Sequence, residues 1–225
     1  MERGHRWGLI APDMERVARR AVRAGLLIAA LLLGYAADQA SAMPQSQFAS
    51  GKAALPSAGQ AGPTPAWIEF CEQQPQECAV DLSEPDMIAL DQQTWDTIVQ
   101  INEEVNGTIL SVADQDHWGV VDQWDYPDDG LGDCEDIQLL KRKLLVDTGL
   151  PRRALRMTVA VDEEGAGHAV LMVRTDFGDF ILDNKKDAVL PWQETGYSYV
   201  KREGSDGLDW VWLGDQTAPV VTANR

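Results

Sequence analysis

The stretch that decides the fold runs Tyr126-Pro-Asp-Asp-Gly-Leu-Gly-Asp-Cys-Glu-Asp-Ile-Gln-Leu-Leu-Lys-Arg-Lys-Leu-Leu145, from a Gly- and Asp-rich loop directly into a helical pattern. Apolar residues recur at helical spacing through its second half, and Gly149 predicts where the helix ends. Asp133 is predicted to be the N-cap. Asp136, three residues later, is predicted to return its hydrogen bond as in a capping box. Cys134 is thus predicted to lie in the first turn of a helix.

A cysteine in the first helical turn suits nucleophilic chemistry, because free N–H groups and the helix dipole favour the thiolate. The alternative is a small buried residue that helps to dock the helix. Cys71 and Cys78 are close enough in sequence to form a short disulfide loop in an oxidising compartment. Such a loop contributes roughly 2–3 kcal/mol in the loop-entropy model. Cys134 then lies outside the predicted disulfide, which favours a functional role.

The first 42 residues are predicted to be an export signal rather than part of the fold. Arginines between Arg16 and Arg23 form a positive region, the apolar segment 24–37 follows, and Ala40-Ser41-Ala42 supplies the small residues of a cleavage site. The apolar segment is shorter than the ~20 residues that a membrane helix needs. We therefore expect export with no membrane span after cleavage, and an uncleaved signal anchor is the alternative.

The charge balance excludes one class of partner. Without residues 1–42 the chain carries 13 Lys and Arg against 32 Asp and Glu, a net charge of −19. So acidic a protein is a poor candidate for binding nucleic-acid phosphates, and we predict no nucleic-acid partner. The charge suits divalent cations or a basic partner, although a solvated acidic surface is the commoner explanation.

The order of the predicted elements indicates an α+β fold. Residues 43–65, rich in Ala, Gly, Ser, Gln and Pro, predict a flexible lead-in, and residues 66–225 are predicted to form one domain. A helix is predicted to start between Ser83 and Asp91, with an apolar face that comprises Trp95, Ile98, Val99, Val105 and Ile109. Strands are predicted at residues 155–161, 168–175, 179–183, 197–200 and 209–213. Helices followed by an antiparallel sheet are typical of the α+β class.

A cysteine nucleophile needs a nearby base, and the base works better when a third group fixes its ring. His5 is lost with the predicted signal, which leaves two histidines. His168 opens an apolar strand, where an ordinary core residue would pack better, so we predict that it is the base. A buried histidine bonded to a backbone carbonyl is the alternative. His117 lies in the polar segment between residues 111 and 129, which we predict to be an ordered loop, and is predicted to be structural.

Hairpin geometry offers two candidates for the third group. If the turn after the His168 strand centres on residues 175–176, His168 lies opposite Asp183 on one face of the sheet. If the turn centres on residues 177–178, the opposite residue is Asp187. The sequence pattern leaves both pairings open.

The acids beside Cys134 oppose its activation, since Asp133, Glu135 and Asp136 each raise the pKa of a neighbouring thiol. A helix N-terminus offsets only part of this effect, typically below ~1 kcal/mol. A bound divalent cation would resolve the conflict, and Ca²⁺ prefers oxygen ligands. The adjoining loop offers further carboxylates at Asp125, Asp128 and Asp129. The alternative is a solvated acidic loop with a helix cap and no metal.

Several segments in this order resemble one known family. They are His-Trp-Gly-Val-Val at 117–121, Gly-Asp-Cys-Glu-Asp at 132–136, Leu-Lys-Arg-Lys-Leu at 140–144, His-Ala-Val-Leu at 168–171 and Gly-Asp-Phe-Ile-Leu-Asp-Asn at 178–184. Together they resemble the bacterial transglutaminase-like cysteine proteinases, which include the LapG-type periplasmic proteases. The resemblance spans roughly residues 67–213. It implies a papain/transglutaminase-like fold in which the nucleophile helix packs on the antiparallel sheet.

The resemblance also implies roles for individual residues. Cys134 would be the nucleophile, His168 the base and Asp183 the orienting acid, while Asp133 and Glu135 would bind a Ca²⁺ ion that activity requires. It implies a periplasmic endopeptidase; LapG-type members cleave a large surface adhesin and are sequestered by an inner-membrane cyclic-di-GMP receptor. The cysteine pair and the long lead-in depart from what we associate with the adhesin-cleaving members, so the chemistry is better supported than the substrate.

Two other functions stay open at this stage. One is an acyltransferase or amidase that uses the same triad, which an amine acceptor forming an isopeptide product would reveal. The other is a non-catalytic, receptor-bound module with a vestigial triad. The protease interpretation requires the thiol, imidazole and carboxylate to converge. It also requires a sulfur that is neither sealed in the interior nor bonded to another cysteine.

Overall fold

The computed structural model describes residues 54–206 and 209–214. The predicted export signal and the first part of the predicted lead-in lie outside these residues. The helices are α1 (Pro65–Gln73), α2 (Pro75–Cys78), α3 (Gln92–Thr108), α4 (Asp114–His117) and α5 (Cys134–Asp147), with 3-10 turns at Arg152–Ala154 and Trp192–Glu194. The strands are β1 (Gln60–Ala61), β2 (Leu110–Ser111), β3 (Leu131–Gly132), β4 (Leu155–Val161), β5 (Gly167–Thr175), β6 (Gly178–Leu182), β7 (Leu190–Pro191), β8 (Ser198–Glu203) and β9 (Trp210–Trp212).

A seven-stranded sheet forms the centre of the fold, in the order β1-β9-β8-β4-β5-β6-β7. Each neighbouring pair in this sheet is antiparallel, and a separate parallel pair joins β2 to β3. The predicted α+β class is therefore confirmed. The described helices are all too short or too polar to cross a bilayer.

Helix α5 packs on β4 and β5, and α3 packs against α5 on the same side. We call this side of the sheet the helical face. Its core contains side chains with no measurable exposure from both layers, among them Leu139, Leu145, Leu155, Met157 and Leu171. Burying one such side chain fully contributes about 1.5–3 kcal/mol. The alternating residues on the other side, which we call the opposite face, form a second apolar cluster that includes Ala160, Val170, Met172 and Ile181.

Helix α3 begins where the sequence predicts. Asp91 is its N-cap, and the Asp91 carboxylate accepts a hydrogen bond from Thr94 N at 2.7 Å. Ile98 and Val105 are buried against the core, as the apolar face predicts. A capping side chain of this type contributes about 1 kcal/mol. The predicted helix over this segment is confirmed.

The predicted flexible lead-in over residues 43–65 is wrong for its described part. Gln60 pairs with Val211, so β1 extends the sheet next to β9. Leu55 is buried on the opposite face, and the Thr64 hydroxyl caps α1 by accepting a hydrogen bond from Trp67 N. The composition missed this order because backbone hydrogen bonds to a distant strand leave no local pattern.

The predicted disulfide between Cys71 and Cys78 is confirmed, and the two Cα atoms lie 5.6 Å apart. Cys71 lies in α1 and Cys78 closes α2, so the bond ties two consecutive short helices together. Short helices are marginal alone, and a covalent loop limits their unfolded states.

A buried carboxylate joins the helices to the sheet. Glu203 of β8 lies 3.0 Å from Arg142 Nη1 and 3.1 Å from Arg152 Nη2, and it accepts hydrogen bonds from Met157 N and Trp67 Nε1, each at 3.0 Å. Burial alone would raise the pKa of Glu203, but the two guanidinium groups and the Met157 N–H lower it to about 2. The ionised carboxylate therefore holds α1, α5, β4 and β8 together.

Candidate active site

Cys134 is the first residue of α5, and Asp133 alone separates it from β3. The segment that leads into α5 requires a glycine at position 132, because a Cβ there would lie 2.8 Å from the Asp136 Cβ and 3.1 Å from the Pro127 Cβ. This close packing fixes the point at which the chain enters the helix. The predicted position of the cysteine, in the first turn, is confirmed.

The predicted capping box is only half present. Asp133 is the N-cap residue, but its side chain makes no capping hydrogen bond and instead accepts one from Asp114 N at 3.4 Å. Asp136 does reach back, because its carboxyl is hydrogen-bonded by the backbone of Asp133 and also by Asp125 N at 2.7 Å. The first turn therefore binds the preceding loop rather than closing on itself.

The Cys134 sulfur lies between a strand and a carboxylate. Ala169 N donates a hydrogen bond to Sγ at 3.2 Å, and the thiol donates one to Glu135 Oε2 at 3.0 Å. Burial raises the pKa of the thiol well above its usual value, and the charges of Glu135 and Asp133 raise it further. The residue is fully buried and is not in a disulfide. The requirement for an unsealed sulfur is therefore not met in this state.

His168 and Asp183 form a buried pair at the start of β5 and just after β6. His168 Nε2 lies 2.8 Å from Asp183 Oδ1, and both side chains are buried. Because a carboxylate only accepts, Nε2 carries the proton, and Nδ1 has no hydrogen-bond partner in the part of the chain that the structure describes. Burial would raise the pKa of Asp183, but the hydrogen bond from His168 lowers it below its usual value, so the acid is ionised.

The pairing of His168 with Asp183 does not arise from either predicted turn. Thr175 pairs with Gly178 across a two-residue turn, which lies between the two turn centres considered from the sequence. Extended along the strands, this register puts Val170 rather than His168 opposite Asp183. His168 is therefore the diagonal neighbour of Asp183 on the same face, a spacing that long side chains can bridge. Both predicted turn centres are wrong.

A group of acidic side chains surrounds the N-terminus of α5. Two sets have carboxylate oxygens within 4.8 Å of one another, namely Asp114 with Asp122 and Glu135, and Asp114 with Asp133 and Asp136. A third set joins the Cys134 sulfur to Asp133 and Glu135. Except for Asp122, these side chains are buried.

Several oxygens of these carboxylates have no hydrogen-bond partner among the described residues. Oδ1 of Asp114, Oδ1 of Asp133 and Oε1 of Glu135 are buried without a hydrogen-bond partner in the described part of the chain. Burial and then the charge of Asp114 raise the pKa of Asp133, and burial above all raises the pKa of Asp136 to about 8. Burial raises the pKa of Glu135 well above its usual value, and the charge of Asp133 raises it further.

A comparison with known sequences then decides the family. The sequence model of the bacterial transglutaminase-like cysteine proteinases, BTLCP, matches residues 58–218. The chain belongs to this family. It is a cysteine peptidase with a transglutaminase-like fold, as the motifs predict. No curated protein sequence matched the chain.

Solved structures of Legionella pneumophila LapG resemble this family member. One is 27% identical over 54% of this chain and 69% of LapG, with a TM-score of 0.44. An EGTA-treated LapG is 25% identical over 56% and 70% of the two chains, with a TM-score of 0.45. A calcium-bound LapG is 22% identical over 67% and 91% of the two chains, with a TM-score of 0.42.

The other loop acids noted from the sequence are not members of the acidic sets of this cysteine peptidase. Asp125, Asp128 and Asp129 are in none of the acidic sets among the described residues. Asp129 instead lies 2.9 Å from His117 Nε2, which fits the structural role predicted for that histidine. Asp187, the alternative third member, accepts a hydrogen bond from Asn106 Nδ2 at 3.0 Å.

Sequence reasoning missed Asp114, Asp122 and Tyr197 of this peptidase. The first two flank an irregular segment, and only their position in the polar loop 111–129 could have marked them. The Tyr197 hydroxyl donates a hydrogen bond to Asp183 Oδ2, and its ring packs edge-on against His168 with 5.5 Å between centroids. No motif links Tyr197 to the predicted triad, because the two are joined only by the fold.

Replacing Tyr197 with Phe should lower kcat about tenfold with little change in KM, because a hydrogen bond to a charged group contributes about 1.5–3 kcal/mol. Without this donor the Asp183 carboxylate is held less firmly and its pKa rises, so the acidic limb of the pH–rate profile should move to higher pH. Tyr199→Phe is the matched control, since the Tyr199 hydroxyl bonds Thr195 instead. Equal losses in the two variants would contradict a positioning role for Tyr197.

Proposed function

We propose that this protein is an exported, calcium-dependent cysteine endopeptidase in which Cys134, His168 and Asp183 form the triad. The observation that carries the proposal is the buried hydrogen bond between His168 Nε2 and Asp183 Oδ1. The Cys134 sulfur accepts a hydrogen bond from Ala169 N, one peptide bond away from His168. This geometry supports a nucleophile, a base and an orienting acid at one end of β5.

The residues divide the chemistry between them. Asp183 fixes the imidazole through Nε2, which leaves Nδ1 to accept the thiol proton as the sulfur attacks a peptide carbonyl carbon. The imidazolium then returns that proton to the leaving amine, and the acyl group stays on sulfur as a thioester. Water, deprotonated by Nδ1, hydrolyses the thioester and restores the thiol.

Two features of the nucleophile helix bear on this reaction. The backbone N–H of Cys134, at the start of α5, is our candidate donor to the oxyanion, where a fixed donor stabilises developing charge. The sulfur is fully buried in the described state. A substrate can therefore reach it only if a covering side chain moves. The family assignment rests on the sequence match over residues 58–218 and is independent of that exposure.

The acidic group at this helix fits a calcium ion. Buried carboxylate oxygens without hydrogen-bond partners are what a hard cation needs as ligands, and Ca²⁺ takes six to eight oxygens. Asp133 and Glu135, together with Asp114, Asp122 and Asp136, would hold it. A bound ion would supply the positive charge that keeps these carboxyls ionised and offsets their effect on the thiol.

Calcium should raise the thermal stability of the protein by roughly 5–10 °C at saturation, as expected for about 2.7 kcal/mol at 100-fold excess over Kd. Asp133→Asn should lose most of this increase, and without calcium it should be more stable than wild type because like charges no longer repel. Asp128→Asn is the matched control, since Asp128 is exposed and outside the acidic sets. An unchanged calcium response in Asp133→Asn would argue against the ligand set.

We further propose that the substrate is an envelope protein such as a large surface adhesin, cleaved in the periplasm. The predicted signal over residues 1–42 and the disulfide between Cys71 and Cys78 support an oxidising compartment. The resemblance to the LapG-type proteases adds an inner-membrane cyclic-di-GMP receptor as a second proposed partner.

The test compares proteins released or truncated in cells that express wild type or Cys134→Ser, with and without a calcium chelator. We expect new amino termini only with wild type and only when calcium is present. Cleavage that persists under chelation would contradict the calcium requirement. Isopeptide products in the presence of an added amine would favour the acyltransferase, and no processing in any condition would favour the non-catalytic module.

A further inference from the structure

Three arginines converge on the opposite face of the sheet, away from α5. Arg156 of β4 pairs with Met172 of β5, which belongs to the apolar cluster of that face. Cross-strand partners share a face. Arg174 lies two residues after Met172, and Arg202 of β8 pairs with Thr158, two residues after Arg156. All three side chains therefore start from the same face on three adjacent strands.

Of these three arginines, only Arg174 has a carboxylate of the described residues within ion-pair distance. Arg174 has ion-pair contacts with Asp179 and Asp86, each at 3.5 Å. Asp179 also accepts a hydrogen bond from Leu55 N at 2.8 Å, so it is already shared. Arg202 Nε is buried without a hydrogen-bond partner in the described part of the chain.

The Arg156 guanidinium donates hydrogen bonds to two backbone carbonyl groups, and one of its other donors has no partner among the described residues. Its Nε donates to Arg153 O and its Nη1 donates to Glu203 O at 3.2 Å. Its Nη2 is buried with no partner within the described ranges 54–206 and 209–214. The Glu203 carboxylate is not available to it, since that group bonds Arg142 and Arg152.

Burial makes these unpartnered donors costly. Arg156 is 0% exposed and Arg202 is 6% exposed. Burial and then repulsion from Arg202 and Arg174 lower the pKa of Arg156 to about 9, although the charge of Glu203 opposes this shift. Burial and Arg174 lower the pKa of Arg202, although the charge of Asp179 opposes this shift. The guanidinium groups are thus close enough to repel each other. Arginine stays charged at neutral pH, so buried guanidinium donors that have no hydrogen-bond partner among the described residues favour a bound anion.

We propose that Arg156 and Arg202 form a binding site for a small oxyanion, with Arg174 as the third charge at its edge. Guanidinium forks match the oxygen spacing of phosphate and carboxylate groups. The unpartnered Nη2 and Nε donors supply one contact from each arginine. This site is distinct from the triad and from the acidic sets, and it does not depend on the proposed peptidase chemistry.

The first titration uses inorganic phosphate, and a second uses acetate to test a carboxylate. Sodium chloride at equal ionic strength is the reference. The purified protein is titrated by calorimetry and by thermal unfolding in the presence of a calcium chelator. We expect a saturable heat and a saturable rise in Tm with phosphate or acetate beyond the chloride effect. The arm with the lower Kd identifies whether a phosphate or a carboxylate is preferred. No saturable binding of either oxyanion would overturn the proposal.

Arg202→Gln should weaken oxyanion binding at least tenfold. Without oxyanion its Tm should equal or exceed that of wild type, because a charge without a counter-charge is removed. Lys143→Gln makes the same charge change at an exposed helix position and should bind like wild type. If Arg202→Gln does not fold, Arg202→Lys keeps the charge, loses the fork and should still bind at least tenfold more weakly. Equal affinity in wild type and the folded Arg202 variant would refute the site.

Discussion

Replacing His168 with Ala should lower kcat/KM for peptide cleavage at least about 10³-fold, which is the scale for removing a triad base. The loss follows from the geometry. Among the described residues, His168 is the histidine that is hydrogen-bonded to Asp183. It also precedes Ala169, whose N–H donates a hydrogen bond to the Cys134 sulfur. The measurement is steady-state cleavage of a protein substrate at saturating calcium. Circular dichroism of the variant shows whether the buried site still folds.

His117→Ala is the control for this substitution. His117 ends α4, bonds Asp129 and stacks on Trp118 with 3.9 Å between ring centroids, so it is not part of the His168–Asp183 pair. We expect its kcat/KM to stay within about tenfold of wild type, the scale of an indirect effect. If both histidine variants lost activity equally, His168 would have no special role. If His168→Ala retained activity, the triad proposal would fail.

Glu203→Gln should lower the free energy of unfolding by about 3–5 kcal/mol, since it leaves two buried guanidinium groups without their carboxylate. The variant keeps the size of the side chain, so the loss reports charge and not a cavity. Glu194→Gln is the control, because Glu194 is exposed and a surface change of this kind costs within ~0.5 kcal/mol. Chemical denaturation of both variants and wild type measures the difference. A loss below that of the control would contradict the role of Glu203.

The same residue gives a pH dependence of known sign. The folded pKa of Glu203, about 2, is below its usual 4.5, so its contribution is complete above pH 4.5 and is lost as the pH falls toward 2. The unfolding free energy of wild type should therefore fall more steeply than that of Glu203→Gln across this window. The other carboxyl groups titrate in both proteins, so parallel curves would show that Glu203 is not the cause.

The sequence predicted those parts of the fold that repeat a local period. Helix α3 begins directly after Asp91, at the end of the predicted range, α5 begins directly after its predicted N-cap Asp133, and β4 matches its predicted bounds. These helix starts and strand bounds are encoded by residues close together in sequence. The contact of His168 with Asp183 was expected instead from the family resemblance, since neither turn considered from the sequence is the observed one.

The features that the sequence did not predict depend on contacts between segments that are distant along the chain. The side chain of Asp133 reaches Asp114 instead of capping its own helix, because the acidic loop packs against the first turn of α5. Asp122 and Tyr197 join their sites only after the chain has folded back. Asp125 and Asp128 are nearer in sequence to Cys134 than Asp114 is, but Asp114 belongs to the acidic sets of the described residues and they do not. The buried state of Cys134 also has no sequence signature.

The pairing of β1 with β9 has a consequence for biogenesis. Gln60 pairs with Val211, 151 residues later, so this edge of the sheet can form only once both residues are present. A polypeptide synthesised from its amino end contains β1 long before its neighbour β9 is made. Loop closure over such a span is slow compared with local contacts. Among the described strands β9 is the last to be synthesised, so a nascent chain interrupted before it cannot form this edge of the sheet.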